Sequence, residues 1–344
     1  MDTDRNALLG VDLPVVAAPM AGGPTTPRLV AAVGWGGAFA FLAAGYREPA
    51  AVAEEIAAAR ATGLPFGVNV FVPTPVPVDE AAFRRYAARI AGEGQPYGLD
   101  LAAAPRTEDD DHWAEKIALL VRDPVPVVSF TFGVPPAAVV HDLRRAGSRV
   151  LVTVTDPVEA AAAAELGVDG LVAQSGHAGG HYGTFTPDAP ASVRPLAELV
   201  GLVGTRTGLP VLAAGGVGGV GDVRAALTAG ATAVLVGTLL LRADESGASR
   251  THRDALADPR RDRTVVTRAF TGRPARGLRN DFIDRYEADA PLGYPALHHL
   301  TRPLRRAAAE AGDADRLHLW AGTGHRAARA APAAEIIEEL TRTL

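Results

Sequence analysis

The sequence predicts an α/β fold, a (β/α)8 or TIM barrel, from three observations. Eight short apolar runs recur along the first two thirds of the chain. Most of them are continuously apolar rather than alternating, which is typical of strands in a parallel sheet that is covered on both faces. Ala-rich amphipathic segments separate the runs, and eight βα units over roughly 240 residues match the size of this barrel. An open, doubly wound sheet shows the same alternation and stays an alternative.

The predicted strands are short and follow one another at regular intervals. They span residues 14–18, 38–42, 66–71, 126–132, 150–155, 170–174, 210–214 and 233–237. Amphipathic helices are predicted between them at 26–33, 49–62, 135–146, 157–166 and 220–229. Pro27, Pro49 and Pro157 stand where a first helical turn accepts proline, which supports three of these helix starts.

Two regions are longer than a barrel requires. Residues 73–123 form an insertion with helical patterns at 78–90 and 110–122, and the chain continues well beyond the last strand. We therefore predict three parts. Residues 1–241 form the barrel with its insertion, residues 242–320 form a mainly helical cap or substrate region at the barrel mouth, and residues 321–344 pack back on the barrel. The last part contains a predicted helix at 332–340.

Composition excludes several classes of protein. The net charge is −5, from 34 basic and 39 acidic residues without a long run of either sign, so no nucleic-acid surface is expected. The absence of cysteine excludes disulfides and thiolate metal sites. No signal peptide is expected at the acidic N-terminus, and no apolar stretch is long enough for a membrane span. We expect a cytoplasmic enzyme, either a monomer or a homodimer.

The segment GHAGGHYG, residues 176–183, offers two interpretations. His177 and His181 are four residues apart, which would place two metal ligands on one face of a helix. The four glycines disfavour that helix, so we interpret the segment as a loop that presents His181 to a substrate. The remaining candidates, His298, His299, His318 and His325, have no ligand spacing and are predicted to be exposed. No metal site is therefore predicted.

Residue pairs that contain glycine follow the seventh and eighth predicted strands. Gly215-Gly216 ends the seventh strand, and Gly237-Thr238 ends the eighth strand one βα unit later. Glycines let backbone N–H groups approach a phosphate closely, and these two loops are the usual phosphate site of the fold. The alternative is that the glycines only make tight turns. Two pairs at the two appropriate strand ends favour a phosphate.

Other strand ends carry groups that suit a flavin ring. The first strand ends in Met20-Ala21 before two glycines, so backbone approaches the barrel mouth closely. Asn69 on the third strand and Gln174 at the end of the sixth carry amides, which can donate and accept hydrogen bonds at once. Turn-forming or buried polar roles are the alternatives for each amide alone. Together with a phosphate site, the set suits flavin mononucleotide (FMN).

Motifs along the whole chain resemble those of the FMN-dependent nitronate monooxygenases, formerly called 2-nitropropane dioxygenases. They occur in family order as AAPMAGGPTTP, FLAAGY, FGVNVF, VSFTFGVP, AGGHYGTF, AAGG, ADESGAS, TRAFTGRPARGLRN and LWAGTG. The resemblance implies a TIM barrel with FMN at its C-terminal mouth, in agreement with the strand count. It also implies oxidation of alkyl nitronates such as propionate 3-nitronate by O2, through electron transfer from nitronate to flavin and without a metal. The products would be a carbonyl compound and nitrite or nitrate.

The resemblance also implies roles for individual residues. His181 corresponds to the active-site histidine, acting as a base toward a nitroalkane or as an electrostatic partner of a nitronate. Tyr294 corresponds to a position that faces substrate. The residues expected around FMN are Met20, Ala21, Asn69, Gln174, Gly179, Gly180, Gly215, Gly216, Gly237 and Thr238. The arginines within 267–280 are expected to hold an anion or to fix the cap.

The sequence departs from the family pattern beside the expected catalytic histidine. His177 stands where an acidic or small polar residue is usual, and Tyr182 stands where arginine is common. These changes predict an altered substrate more than altered FMN binding, with His177 as a candidate substrate contact. Two alternatives keep the same fold. One is an FMN-dependent enoyl or quinone reductase that uses NAD(P)H, and the other is a biosynthetic homologue acting on another nitrogenous metabolite.

Overall fold

Eight parallel strands close into a barrel, which confirms the predicted (β/α)8 fold and excludes the open sheet. The computed structural model describes residues 7–344. The barrel strands are β1 Val15–Ala17, β2 Phe39–Ala43, β3 Gly67–Phe71, β4 Val127–Thr131, β5 Arg149–Val154, β6 Gly170–Gln174, β8 Val211–Ala214 and β9 Ala233–Val236. Pairing of β1 with β9, with Val16 opposite Leu235, closes the ring. Each of the eight predicted apolar runs therefore overlaps a barrel strand.

Helices follow the strands; most cover the outside of the barrel, and those of the insertion and the cap pack beyond it. They are α1 Pro27–Trp35, α2 Pro49–Arg60, α3 Glu80–Gly94, α4 Trp113–Arg122, α5 Ala137–Ala146, α6 Pro157–Ala164, α7 Leu196–Thr207, α8 Val220–Thr228, α9 Arg250–Ala257, α10 Asp281–Tyr286, α11 Ala296–Ala311 and α12 Ala333–Thr341. Side-chain caps begin several of them. Thr26 accepts a hydrogen bond from Leu29 N, and Asp156 accepts from Val158 N and Glu159 N. These caps immediately precede Pro27 and Pro157, whereas the helix that starts at Pro49 has no side-chain cap.

The barrel has two apolar layers. Large side chains such as Phe39, Phe41 and Leu151 fill its interior, where they are buried. Leu8 and Leu9 belong to the same interior cluster. A second, larger cluster lies between the outer faces of the strands and the helices. Burial on both faces explains why the strands are continuously apolar in sequence.

A cap lies over the C-terminal ends of the strands. Its sheet consists of β10 Thr264–Thr267, β11 Ala275–Leu278 and the two-residue strand β7 Gly180–His181, in the order β10-β11-β7. The helix α3 of the insertion shares an apolar cluster with α10 and α11. The insertion therefore packs on the cap, and the cap contains a small sheet in addition to its helices.

The predicted division of the chain at residues 241 and 320 stays a prediction. Strand β7, from the first predicted part, pairs with β11 of the second part. Within residues 7–344, no helix combines the length and the apolar character that crossing a membrane requires.

Candidate active site

A cavity of about 660 Å³ opens where the barrel strands end, between the strand loops and the cap. This volume lies within the range of cofactor and ligand pockets. The cavity brings together the expected catalytic residue and all ten residues expected around FMN. The residues in question are His181, Met20, Ala21, Asn69, Gln174, Gly179, Gly180, Gly215, Gly216, Gly237 and Thr238.

The loops after β8 and β9 present unpaired backbone N–H groups. Gly215 and Gly216 have φ angles of 117° and 78°, in the left-handed region that favours glycine. A Cβ atom on Gly215 would lie 2.7 Å from the Ser175 hydroxyl oxygen, so no side chain fits there. Among residues 7–344, no backbone or side-chain acceptor pairs with the N–H groups of Gly215, Gly216 or Gly237. These N–H groups fit an anionic group such as a phosphate.

The loop after β1 is fixed by Thr25. The amide nitrogen of Met20 donates to the Thr25 hydroxyl at 2.9 Å, and the Thr25 amide donates back to the Met20 carbonyl at 3.2 Å. Met20 also lies beside Gly237, since a Cβ atom on that glycine would be 3.6 Å from the methionine sulfur. The β1 loop and the β9 loop therefore form one continuous wall of the cavity.

Asn69 on β3 is oriented by its neighbours on β4. Its Nδ2 donates to the Ser129 carbonyl and hydroxyl oxygens at 3.2 and 2.9 Å and to the Thr131 hydroxyl at 3.0 Å. Its Oδ1 has no hydrogen-bond partner within the described part of the chain. Asn69 consequently offers an acceptor to a molecule in the cavity, and its donor group is already used.

Gln174 holds the loop that carries His181. Its Nε2 donates to the His181 carbonyl at 3.2 Å, and its Oε1 accepts from Gly183 N at 2.7 Å. The buried carboxylate of Glu159 on α6 holds the next turn, because it accepts from the amide of Phe185 at 2.6 Å and from the Thr184 hydroxyl at 2.8 Å. The loop is thus fixed at two successive points.

His181 lies among aromatic side chains. Its ring makes edge-on contacts with Phe132 and Tyr294, at centroid distances of 5.7 and 5.8 Å, and a tilted contact with Trp320 at 5.7 Å. Its Nε2 is hydrogen-bonded to the Thr271 hydroxyl at 2.9 Å. The ring therefore lies in an apolar enclosure with one fixed polar partner.

His181 is uncharged at neutral pH. Burial, together with the nearby guanidinium groups of Arg273 and Arg305, lowers its pKa to about 3, because both effects disfavour a positive charge on the ring. An uncharged imidazole can accept a proton. A negative charge beside the ring would reverse the shift, since it would favour the imidazolium form.

Arg273 is a fully buried cation that forms no ion pair with an acidic side chain of residues 7–344. Its Nη2 donates to the Thr184 carbonyl, whereas Nε and Nη1 have no hydrogen-bond acceptor in the part of the chain that the structure describes. The guanidinium carbon lies 4.0 Å from the centroid of the Phe132 ring. Burial lowers the pKa of Arg273 to about 10, so it stays positively charged at neutral pH.

Arg305 on α11 is a second buried cation, and it lines the cavity. It donates to the Thr301 hydroxyl at 3.1 Å and to the His298 carbonyl at 2.9 Å. None of the ion pairs among residues 7–344 involves Arg305 or Arg273. Two uncompensated cations near one histidine create a positive potential, because buried charges are weakly screened.

Tyr294, the predicted substrate contact, lies beside His181 but is not part of the cavity lining. Its hydroxyl is 3.3 Å from that of Tyr46, and burial raises the pKa of Tyr294 well above its usual value and that of Tyr46 to about 12. Both phenols therefore stay protonated. Tyr46 lines the cavity, and its ring stacks on His298 at a centroid distance of 4.0 Å.

The two departures from the family pattern lie outside the cavity lining. His177 packs behind the loop that follows β8, since a Cβ atom added to Gly216 would lie 3.0 Å from the Cβ atom of His177. The His177 carbonyl accepts a hydrogen bond from Thr323 N at 3.1 Å. The Tyr182 hydroxyl accepts from Ser192 N at 3.3 Å. The structure therefore does not bring either side chain to the place where His181 meets the cavity.

The prediction of exposed histidines was wrong. His298 and His325 are buried, and His299 and His318 are half-buried. His298 lies on the inward face of α11, and the aromatic cluster around Trp320 covers His318. In residues 7–344, no three His, Asp or Glu side chains are grouped as metal ligands.

Sequence reasoning missed the contributions of Thr271, Arg273, Arg305, Tyr46 and Trp320. Two of them lie inside the motif TRAFTGRPARGLRN, where only the arginines as a group were considered. The helical period of α11 is a signal that could have identified Arg305, since it is seven residues from His298 and on the same buried face. Thr271 has no such signal, because it meets His181 across 90 residues of sequence.

A family model and the curated relatives name the same family. A family model described as nitronate monooxygenase matches residues 5–343. A probable nitronate monooxygenase of Staphylococcus aureus strain MSSA476 is 35% identical over 340 residues, which cover 97% of this chain and 94% of that protein. A solved structure of nitroalkane oxidase from Streptomyces ansochromogenes superposes with a TM-score of 0.92 at 46% identity, covering 98% of this chain and 97% of the other.

A more distant likeness concerns the fold alone. The enoyl reductase domain of MlnA from Bacillus amyloliquefaciens superposes with a TM-score of 0.68 at 13% identity, covering 99% of this chain and 96% of that domain. At so low an identity, the likeness shows a shared barrel architecture and says nothing about the activity of this chain.

Proposed function

Because the chain belongs to the nitronate monooxygenase family, we propose that it binds FMN and oxidises alkyl nitronates with O2, giving a carbonyl compound and nitrite or nitrate. Family membership makes it a flavin oxidoreductase that acts on nitro compounds. The identity of the flavin, the use of O2 and the preference for nitronates belong to the proposal. Propionate 3-nitronate is the substrate we would test first.

The observation that carries the proposal is an uncharged histidine beside two buried cations. His181 is neutral, and neither Arg273 nor Arg305 has a carboxylate partner within residues 7–344. A nitronate is an anion, so it supplies the negative charge that this site lacks. The same potential stabilises the charge that develops when a neutral nitroalkane loses its α-proton to the histidine.

Several groups of the cavity support FMN as the cofactor. The unpaired N–H groups of Gly215, Gly216 and Gly237 would hold the phosphate, and Asn69 Oδ1 would accept a hydrogen bond from the ring. When bound, FMN supplies the electron acceptor, and O2 is the final oxidant. Gln174 contributes indirectly, because both ends of its amide hold the His181 loop.

The chain's own residues would carry out three tasks. Arg305 attracts and orients the anion from the cavity wall while Arg273 adds to the positive potential, the aromatic residues Phe132 and Trp320 keep water away from the reacting carbon, and His181 takes up the α-proton of neutral substrates. With a nitronate the proton is already absent. His181, as the imidazolium form that a neighbouring anion favours, then pairs with the nitronate.

The experiment is a steady-state assay of the purified protein, whose bound cofactor is first released and identified. We expect FMN, together with O2 uptake and nitrite release from propionate 3-nitronate without NAD(P)H. A protein that cannot be loaded with flavin would refute the cofactor. Turnover that requires NAD(P)H and an enoyl or quinone acceptor would replace the monooxygenase with a reductase.

A further inference from the structure

We propose that Thr271 selects the tautomer of His181, so that Nε2 carries the hydrogen and Nδ1 is the nitrogen that accepts the substrate proton. This inference rests on the proposed function for the identity of the substrate. The tautomer itself is a property of the protein and can be measured separately. Thr271 is thus a positioning residue rather than a group that touches substrate.

Two hydrogen bonds of one hydroxyl group define the arrangement. The Thr271 Oγ1 atom lies 2.9 Å from His181 Nε2 and 3.2 Å from the backbone carbonyl oxygen of Arg273. Thr271 and Arg273 are both fully buried. Because a carbonyl oxygen only accepts, the hydroxyl hydrogen must point toward Arg273 if that bond is to exist.

The direction of the single hydroxyl hydrogen of Thr271 then determines the tautomer of the His181 ring. With its hydrogen directed to Arg273, the Thr271 oxygen can only accept from His181, so Nε2 must carry a hydrogen. In the other tautomer the hydroxyl would turn toward Nε2, and the Arg273 carbonyl would lose its donor. No other donor within residues 7–344 reaches that carbonyl. Buried carbonyls are rarely left unpaired, which favours the Nε2–H form.

The backbone on both sides keeps this arrangement in place. The amide nitrogens of Thr271 and Gly272 donate to the Arg268 carbonyl at 3.2 and 2.8 Å, forming a tight turn. His181 is in strand β7, and its carbonyl accepts from Gln174. Because the backbone of both Thr271 and His181 is held in this way, His181 Nε2 stays directed at Thr271. Nδ1 is then the ring nitrogen that is free for substrate.

Nδ1 is free to act as the base. No hydrogen bond in the described part of the chain uses this atom, and His181 lines the cavity. In proton abstraction the C–H bond of the nitroalkane breaks, an Nδ1–H bond forms, and the electron pair stays on the carbon and nitro group as the nitronate. The ring becomes a cation whose Nε2–H bond to Thr271 strengthens, because a charged donor makes a stronger hydrogen bond.

The test compares Thr271→Val, which keeps the shape and removes the hydroxyl, with Thr271→Ser, which keeps the hydroxyl. Nitrogen-15 NMR of histidine-labelled protein loaded with its flavin reports which ring nitrogen carries the hydrogen. We expect Nε2–H in the parent protein and in Thr271→Ser, and a population of Nδ1–H in Thr271→Val. Reversal of the parent tautomer would overturn the proposal.

Steady-state kinetics provide a second measurement. A purely structural role of Thr271 would not make kcat for a neutral nitroalkane fall more than kcat for a nitronate. We expect Thr271→Val to lower kcat for neutral nitroethane about tenfold or more, because the correct tautomer is essential to a general base. The kcat for ethylnitronate, which needs no proton abstraction, should fall less than about threefold. Equal losses on both substrates at normal flavin content would contradict the proposal, as would full activity of Thr271→Val on nitroethane.

Two controls keep the inference separate from the proposed function. If Thr271→Val does not fold, the parent tautomer and the Thr271→Ser variant still decide the matter. If the parent protein oxidises neither nitroethane nor ethylnitronate, the proposed function fails. The NMR measurement on the same protein nevertheless continues to test the role of Thr271.

Discussion

His181 and Ala275 are opposite each other in an antiparallel ladder, so the candidate base is part of the cap's sheet. The neighbouring pair is Gly180 and Arg276, and Arg276 Nε donates to the Gly176 carbonyl at 2.7 Å. A loop that follows a barrel strand is therefore anchored to the cap on its other side. Any movement of β11 would displace His181.

Gly179 allows the His181 loop to approach the C-terminal segment. A Cβ atom there would lie 2.5 Å from Gly322 N and 2.6 Å from the Ala321 carbonyl carbon, and both neighbours are backbone atoms. We expect Gly179→Ala to lower the free energy of unfolding by about 1–3 kcal/mol and to reduce flavin content. Gly201→Ala is the control, because nothing lies within 4 Å of its added methyl group in helix α7. Urea unfolding should show the control at least as stable as the parent.

Replacement of His181 should separate neutral substrates from anionic ones. His181→Asn removes the proton acceptor but keeps a polar side chain. We expect kcat/KM for neutral nitroethane to fall about 100-fold or more, as for the loss of a general base. The value for ethylnitronate should fall much less, and FMN content should not change. Parallel loss of flavin and of both activities would instead assign His181 a structural role.

The positive potential of the cavity can be tested at Arg305. We expect Arg305→Met to raise KM for a nitronate about tenfold, equivalent to about 1.4 kcal/mol, because a poorly screened cation is removed. Arg305→Lys should recover part of this loss. The matched control is Arg145→Met, since Arg145 is exposed, paired with Asp142 at 3.4 Å and not part of the cavity lining. Equal KM values for Arg305→Met and Arg145→Met would show that the buried cation does not attract substrate.

Buried histidines predict loss of stability in mild acid. Burial lowers the pKa of His252 from 6.5 to about 4, so the unfolded state binds more protons than the folded state between these values. Stability is therefore complete above pH 6.5 and decreases as the pH falls toward about 4. His181 extends the loss toward about pH 3.

A variant isolates the contribution of His252. We expect His252→Gln to reduce the difference in unfolding free energy between pH 7 and pH 5 by about 1–2 kcal/mol. His141→Gln is the control, because the His141 side chain is 71% exposed. Urea unfolding at the two pH values measures both. A pH dependence unchanged by His252→Gln would mean that His252 titrates normally in the folded protein.

The barrel was predictable because its signals are local. Each strand is a continuous apolar run, and caps such as Thr26 and Asp156 lie just before prolines at the first helical turn. The cavity residues at strand ends follow from the same pattern, since the carboxyl ends of parallel strands meet at one face. The positions of the strand ends were therefore sufficient to predict that Asn69, Gln174 and the glycine loops lie close together at one face of the barrel.

The rest of the site depends on contacts between distant parts of the chain. Thr271 and Arg273 come from the cap, and their partners His181 and Thr184 come from the loop after β6. No sequence period connects these segments. The buried state of His298 was missed for a different reason, because the helical period of α11 was not applied to its histidines.

The most direct test of the central claim is anaerobic reduction of the bound flavin, followed by absorbance in a stopped-flow instrument. We predict that propionate 3-nitronate bleaches the oxidised flavin spectrum rapidly and that NADH and NADPH leave it unchanged over the same time. The result that would contradict the account is the reverse, in which a nicotinamide reduces the flavin and the nitronate does not.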